Sequence, residues 1–173
     1  MIKSACLVVF VVLFFSVLGV TFGQSACPTD FGIGVQAAFH SFGISGILDV
    51  ANKVSIQAIL GFFGDLKSYG GRLLYRFNKE EFWNVYGFGM LGAWSYTGLS
   101  TGANLSRSTT TETVFGFGAG AGVEYNLEGL THKFIPFFPL YINLEIGFGA
   151  VNFKQVAYNF SPLMVGAGVH FRI

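Results

Sequence analysis

The residues able to do chemistry are few and scattered. The 173-residue chain holds three histidines, His40, His132 and His170, and two cysteines, Cys6 and Cys27. Nucleophilic catalysis needs a hydroxyl or thiol, a base beside it and a group that orients the base. Only His40 and Ser41 set a base next to a hydroxyl, and no carboxylate stands beside them in the chain. Neighbours on a strand leave opposite faces, so that pair meets only across a turn. Three separated histidines make no metal set. The expectation is no catalytic residue, no cofactor site and no metal site. The richer set is ionic: Asp49, Arg72, Arg76, Glu124, Glu145 and Arg172, three carboxylates against three arginines. Such groups pair when they are taken out of water together.

The elements that position them read with a period of two. The clearest is residues 113–125, TVFGFGAGAGVEY. One alternate set is Thr113, Phe115, Phe117, Ala119, Ala121, Val123 and Tyr125; the other is Val114, Gly116, Gly118, Gly120, Gly122 and Glu124. Alternation of this kind is a strand signal. A bare glycine face is foreign to a soluble strand, and it suits the narrow interior of a small closed barrel with lipid outside.

Composition agrees. Charged residues make up 11% of the chain, hydrophobic ones 52% and aromatic ones 17%, with 24 glycines. That is too apolar for an ordinary soluble domain and too glycine-rich for a bundle of membrane helices. A net charge of +1 speaks against nucleic acid as a partner. Met1-Ile2-Lys3, the apolar run 7–20 and the small residues after it read as an export signal over residues 1–23, with cleavage after Gly23 or, second, after Ala26. A retained anchor and a lipid-modified Cys27 are the alternatives. Residues 24–173 then form one domain, and no later run of about 20 apolar residues offers a spanning helix. The barrel is the remaining way across a membrane.

Strands are expected at 31–39, 42–50, 54–63, 71–77, 82–96, 113–125, 140–151 and 163–173. A tight turn at His40–Ser41 separates the first two, with one long bulged strand as the alternative. Residues 64–70 and 97–112 are expected as polar loops. In the fifth strand Tyr86, Phe88, Met90, Trp94 and Tyr96 are expected to face lipid, and Val85, Gly87, Gly89, Ala93 and Ser95 the lumen. Trp94, Tyr96, Tyr75, Phe77 and Tyr125 are expected at the lipid headgroups. Asp49, Arg72, Arg76, Glu124, Glu145, His170 and Arg172 fall on inward positions. Distance from the strand ends puts Asp49, Arg76, Glu124 and Arg172 in one layer and Arg72 and Glu145 nearer mid-barrel. The expectation is an all-β, eight-stranded antiparallel transmembrane barrel whose lumen is plugged by a salt-bridge network; a gated ion path through that network is the alternative.

Several stretches resemble the small bacterial outer-membrane β-barrel family, the one-domain relatives of the OmpA and OmpX barrels. They are Lys53-Val54-Ser55-Ile56-Gln57-Ala58, Gly71-Arg72-Leu73-Leu74-Tyr75-Arg76-Phe77, Trp83-Asn84-Val85-Tyr86-Gly87 and Gly120-Ala121-Gly122-Val123-Glu124-Tyr125. The last strand is similar to the family's assembly signal, with Val169, Phe171 and Ile173 alternating; Ile173 stands where Phe is usual. The resemblance implies the bacterial outer membrane, outer-membrane lipid and the barrel assembly machinery as partners, and no single activity. The expected role is non-enzymatic: structural, or contact with an extracellular or host surface ligand through the outer loops, above all 97–112. A narrow porin-like channel is the second reading and a lipid-modifying enzyme using His40 and Ser41 the third.

Overall fold

The computed structural model describes residues 30–38, 41–80, 82–101, 107–127, 139–154 and 161–172. The expected export signal, Cys6, Cys27, His40, His132 and Ile173 lie outside them. The strands are β1 (Phe31–Ala38), β2 (Ser41–Ala51), β3 (Val54–Phe63), β4 (Leu66–Lys79), β5 (Trp83–Thr101), β6 (Arg107–Asn126), β7 (Leu140–Ala150) and β8 (Leu163–Arg172). Each pairs antiparallel with its neighbours in the chain, and β8 closes on β1. Closure leaves no sheet edge inside the wall, which is what a β structure needs in hydrocarbon.

The connections explain the up-and-down order. Ala38 pairs with Ser41, so β1 and β2 are two paired strands rather than one long bulged strand. Ala51 pairs with Val54 across Asn52-Lys53. Phe63 pairs with Leu66, and Gly64 between them takes φ 58°, a left-handed conformation that glycine adopts without steric cost. The loop expected at 64–70 is therefore a two-residue turn, with β4 beginning at Leu66. Registers shift between Asp49 and Ala51 and between Arg76 and Asn78. A bulge re-aims the side chains beside it, and both follow directly on an inward charge.

The wall is apolar outside. On β6 the outward column runs from Tyr125 to Phe115, about ten residues; at ~3.3 Å each and ~40° of tilt this covers roughly 25 Å, the height of an outer-membrane apolar band. Phe115, 86% exposed, is the upper limit of that column, and Thr113 follows it.

β5 reverses the expected faces. Tyr86 and Trp94 are 1% exposed, Phe88 and Met90 are buried with them, and Leu91 projects outward at 70%. The cause lies across the ladder. Tyr86, Phe88, Met90 and Gly92 pair with Gly122, Gly120, Gly118 and Gly116. A Cβ on Gly122 would sit 2.7 Å from Tyr86 Cζ, one on Gly120 2.7 Å from Phe88 Cζ, and one on Gly116 2.9 Å from Trp94 Cζ3. The bare face of β6 is the seat of the β5 rings. Trp94 is thus a lumen residue and Tyr96 a half-buried one, while Tyr75, Phe77 and Tyr125 stay exposed on the outer wall.

Candidate functional site

The lowest layer of the interior is a ring. Arg76 Nη1 lies 3.2 Å from Asp49 Oδ1, and Arg76 Nη2 3.7 Å from Glu124 Oε1. Arg172 Nη2 lies 2.5 Å from Glu124 Oε2, and Arg172 Nη1 3.4 Å from Asp49 Oδ2. Each acid meets both bases, and the four come from β2, β4, β6 and β8. Ser55 donates to Asp49 at 2.6 Å and accepts from Arg76 at 2.6 Å; Asn84 donates to Glu124 at 3.3 Å. The Arg172 guanidinium also lies over the Tyr141 ring at 4.5 Å. The formal charge of the ring is zero.

A second layer lies above it, centred on Glu145. Its carboxylate accepts from Arg72 at 2.7 Å, Tyr86 at 2.5 Å, Asn143 at 3.1 Å and Gln36 at 3.2 Å. Arg72 also donates to Gln57 at 3.0 Å and covers the Phe88 ring at 4.0 Å. Gln57 donates to Ser45 at 2.7 Å, and Ser45 Oγ lies 2.8 Å from His170 Nε2. This layer too is neutral, with one arginine and one carboxylate. Buried ions are held in this way, by a partner of opposite sign and by hydrogen bonds on the remaining lone pairs.

Above the ions the interior is apolar. Phe88, Met90, Trp94, Leu66, Met164 and Phe153 belong to one buried cluster, with Tyr96, Val114 and Val151 packed against it. Phe153 meets Tyr96 edge to face at 6.3 Å, and the Lys154 amide donates to Glu112 at 2.8 Å, so residues 151–154 lie against the upper part of β6.

The buried Ser45–His170 pair went unnoticed in the sequence, because its partners are 125 residues apart and only barrel closure joins them. It lacks the marks of a catalytic pair. Among the described residues no carboxylate bonds the ring, and both side chains are sealed from solvent. His40 lies outside the described residues. No group of three potential metal ligands occurs among them either.

Outside the lumen, the conspicuous feature is the β5–β6 hairpin. β4 pairs with β5 only as far as Tyr96, and β7 with β6 only as far as Phe117. β5 and β6 go on pairing with each other, through Thr97 with Thr111, to Thr101 with Arg107. Most of the expected loop 97–112 is therefore a two-stranded arm. Thr97 and Thr111 hydroxyls lie 3.0 Å apart, and Thr113 donates to Ser95 at 3.1 Å. The Ser/Thr composition that reads as loop suits a strand equally well, since threonine is at home on a pleated surface.

On β8, Val169 pairs with Val35 and Ile142, and Phe171 with Ile33 and Leu140, so both close the wall between β7 and β1.

The family model for the outer membrane protein beta-barrel domain matches residues 14–171. The chain belongs to that family. Its place is the bacterial outer membrane. No curated protein matches the chain. Among solved structures this outer-membrane barrel is similar to Neisserial surface protein A, at 15% identity over 84% of this chain and 94% of that one, TM-score 0.46. It is also similar to the Yersinia pestis outer membrane protein Ail in a phospholipid nanodisc, at 15% identity over 84% and 99%, TM-score 0.43. A crystal structure of Ail with the heparin analogue sucrose octasulfate matches at 13% identity over 84% and 97%, TM-score 0.38.

Proposed function

We propose that this outer-membrane barrel is a non-enzymatic surface protein that meets its partner through the β5–β6 arm, with its lumen closed. The observation that carries the reading is the arm itself: two strands that outrun β4 and β7 and pair only with each other among the described strands. Free strand edges recruit extended segments of other chains. Proteins guard such edges with lysine or proline, and residues 97–112 contain neither, with Arg107 and Glu112 as their charges. That low charge favours strand addition over capture of a polyanion.

The test is adhesion. Outer-membrane vesicles carrying the protein bind a cultured epithelial monolayer, and replacing residues 98–110 by Asn-Gly abolishes that binding while the barrel still shifts on a gel after boiling. Undiminished binding by the shortened protein removes the arm from the function.

A further inference from the structure

The reversal of β5 has a counterpart on the lipid side. With its rings inside, β5 presents Val85, Gly87 and Gly89 outward. These pair with Val123, Ala121 and Ala119 of β6. Two adjacent columns of the wall are therefore low. Higher side chains flank them: Tyr75 and Leu73 pair with Gly87 and Gly89 on one side, and Leu144, Ile146 and Phe148 with Val123, Ala121 and Ala119 on the other. The Phe77 ring leans over Gly87, 3.2 Å from where a Cβ would be. Leu91 and Phe117 stand above. Only the lower part of this low region, around Val85, Ala121, Val123, Leu144 and Ile146, forms the depression of about 360 Å³.

We infer that this trough is a binding site for one acyl chain of a phospholipid in the periplasmic leaflet. Depth selects the leaflet. Trp83 pairs with Tyr125 at the end of the ladder away from the β5–β6 arm, the periplasmic end when the arm faces out; both are exposed, with polar tips suited to the headgroup level. Gly89 is six residues further up β5, roughly 15 Å after tilt, so the trough runs from just above that boundary to about mid-membrane. Trp83 and Tyr125 stand below it and Leu91 and Phe117 above, so a chain seats in it from the lipid side. Width selects the ligand. Neighbouring strands lie about 4.8 Å apart, and the low column of Ala119, Ala121 and Val123, between the Phe77 ring over Gly87 and the row of Leu144, Ile146 and Phe148, admits one hydrocarbon chain laid along the strand. A helix with side chains is about 10–12 Å across and does not reach the floor. The convex wall of a second barrel is held off by the flanking rings. Hydrocarbon seated here meets side chains on three sides, which an ordinary lipid at the wall does not.

Gly89 makes the test clean. A Cβ there meets no atom within 4 Å, so a larger side chain fits without disturbing the wall. Gly46, outward on β2 on a distant part of the wall, has only Phe31 Cε2 at 4.0 Å and serves as the control. Native mass spectrometry of the protein extracted in mild detergent counts retained phospholipid. Wild type and G46L keep one phospholipid through washing. G89L and A121L, which fill the trough, lose it with at least about tenfold weaker retention, the worth of two displaced methylenes. Gel shift on boiling confirms that all four are folded. Wild type without retained phospholipid, equal retention in G89L and A121L, or equal loss in G46L overturns the site.

Discussion

Glu145 takes four hydrogen bonds in a space that water does not reach, and its side chain and that of Arg72 are almost completely buried. Removing one member of such a pair leaves the other charge stranded; removing both leaves a site that apolar atoms can fill. Glu145→Gln is expected to destabilise the barrel by about 3–5 kcal/mol, and R72M/E145L by much less. Guanidinium unfolding in phospholipid vesicles measures both. A single variant as stable as the double removes the ion pair from the account. The inward parity of these residues was legible in the sequence, since alternation fixes it strand by strand, and distance from the strand ends fixes height. Which groups meet was legible only in part. Ser45 touches His170 through closure of β8 on β1 and the register that follows, neither of which is a local property.

At the scale of the element, β5 and β6 are a matched pair. The ring-bearing set on β5 looks like a lipid face when the strand is read alone, because aromatic residues belong in a membrane as readily as in a core. The decision rests on the strand opposite, where glycine after glycine leaves room that only large neighbours fill. The loop expectation for 97–112 failed for a related reason: Ser, Thr and Gly mark loops by composition, while hydroxyl pairs across a ladder mark a strand. The pairing predicts opposite outcomes for two glycines. Gly120→Ala puts a methyl against the Ile146 carbonyl oxygen, and 2.7 Å from Phe88 Cζ. It is expected to cost about 1–3 kcal/mol by overpacking. Gly71, whose Cβ would meet nothing within 4 Å, is expected to accept alanine without loss. Equal unfolding midpoints for the two would mean that the ring seats do not set the packing.

For the whole molecule, the interior combines two neutral ionic layers with an apolar cluster above them. An eight-stranded barrel holds little beyond its own side chains. Ions crossing it have to pass both a network of salt bridges and a constriction that sheds water. The expected conductance in planar bilayers is nil for the wild type, and also nil for R72A/E145A, because Trp94, Met90 and Met164 remain in place above. Steps of current from the wild type return the protein to the pore reading; steps from the variant alone mean that the Arg72–Glu145 layer is the seal.

The lower ring has one more consequence, and it concerns time. Its members arrive in chain order: Asp49, Arg76, Glu124 and, from the last strand, Arg172. A partly assembled sheet that lacks β8 carries two carboxylates and one guanidinium there, a surplus of negative charge turned towards a space that is still open to water. The final strand brings the missing cation at the moment it shuts the wall. Completion of the cylinder and cancellation of its internal charge are a single event, so an intermediate stalled one strand short has a standing electrostatic reason to stay hydrated and unsealed.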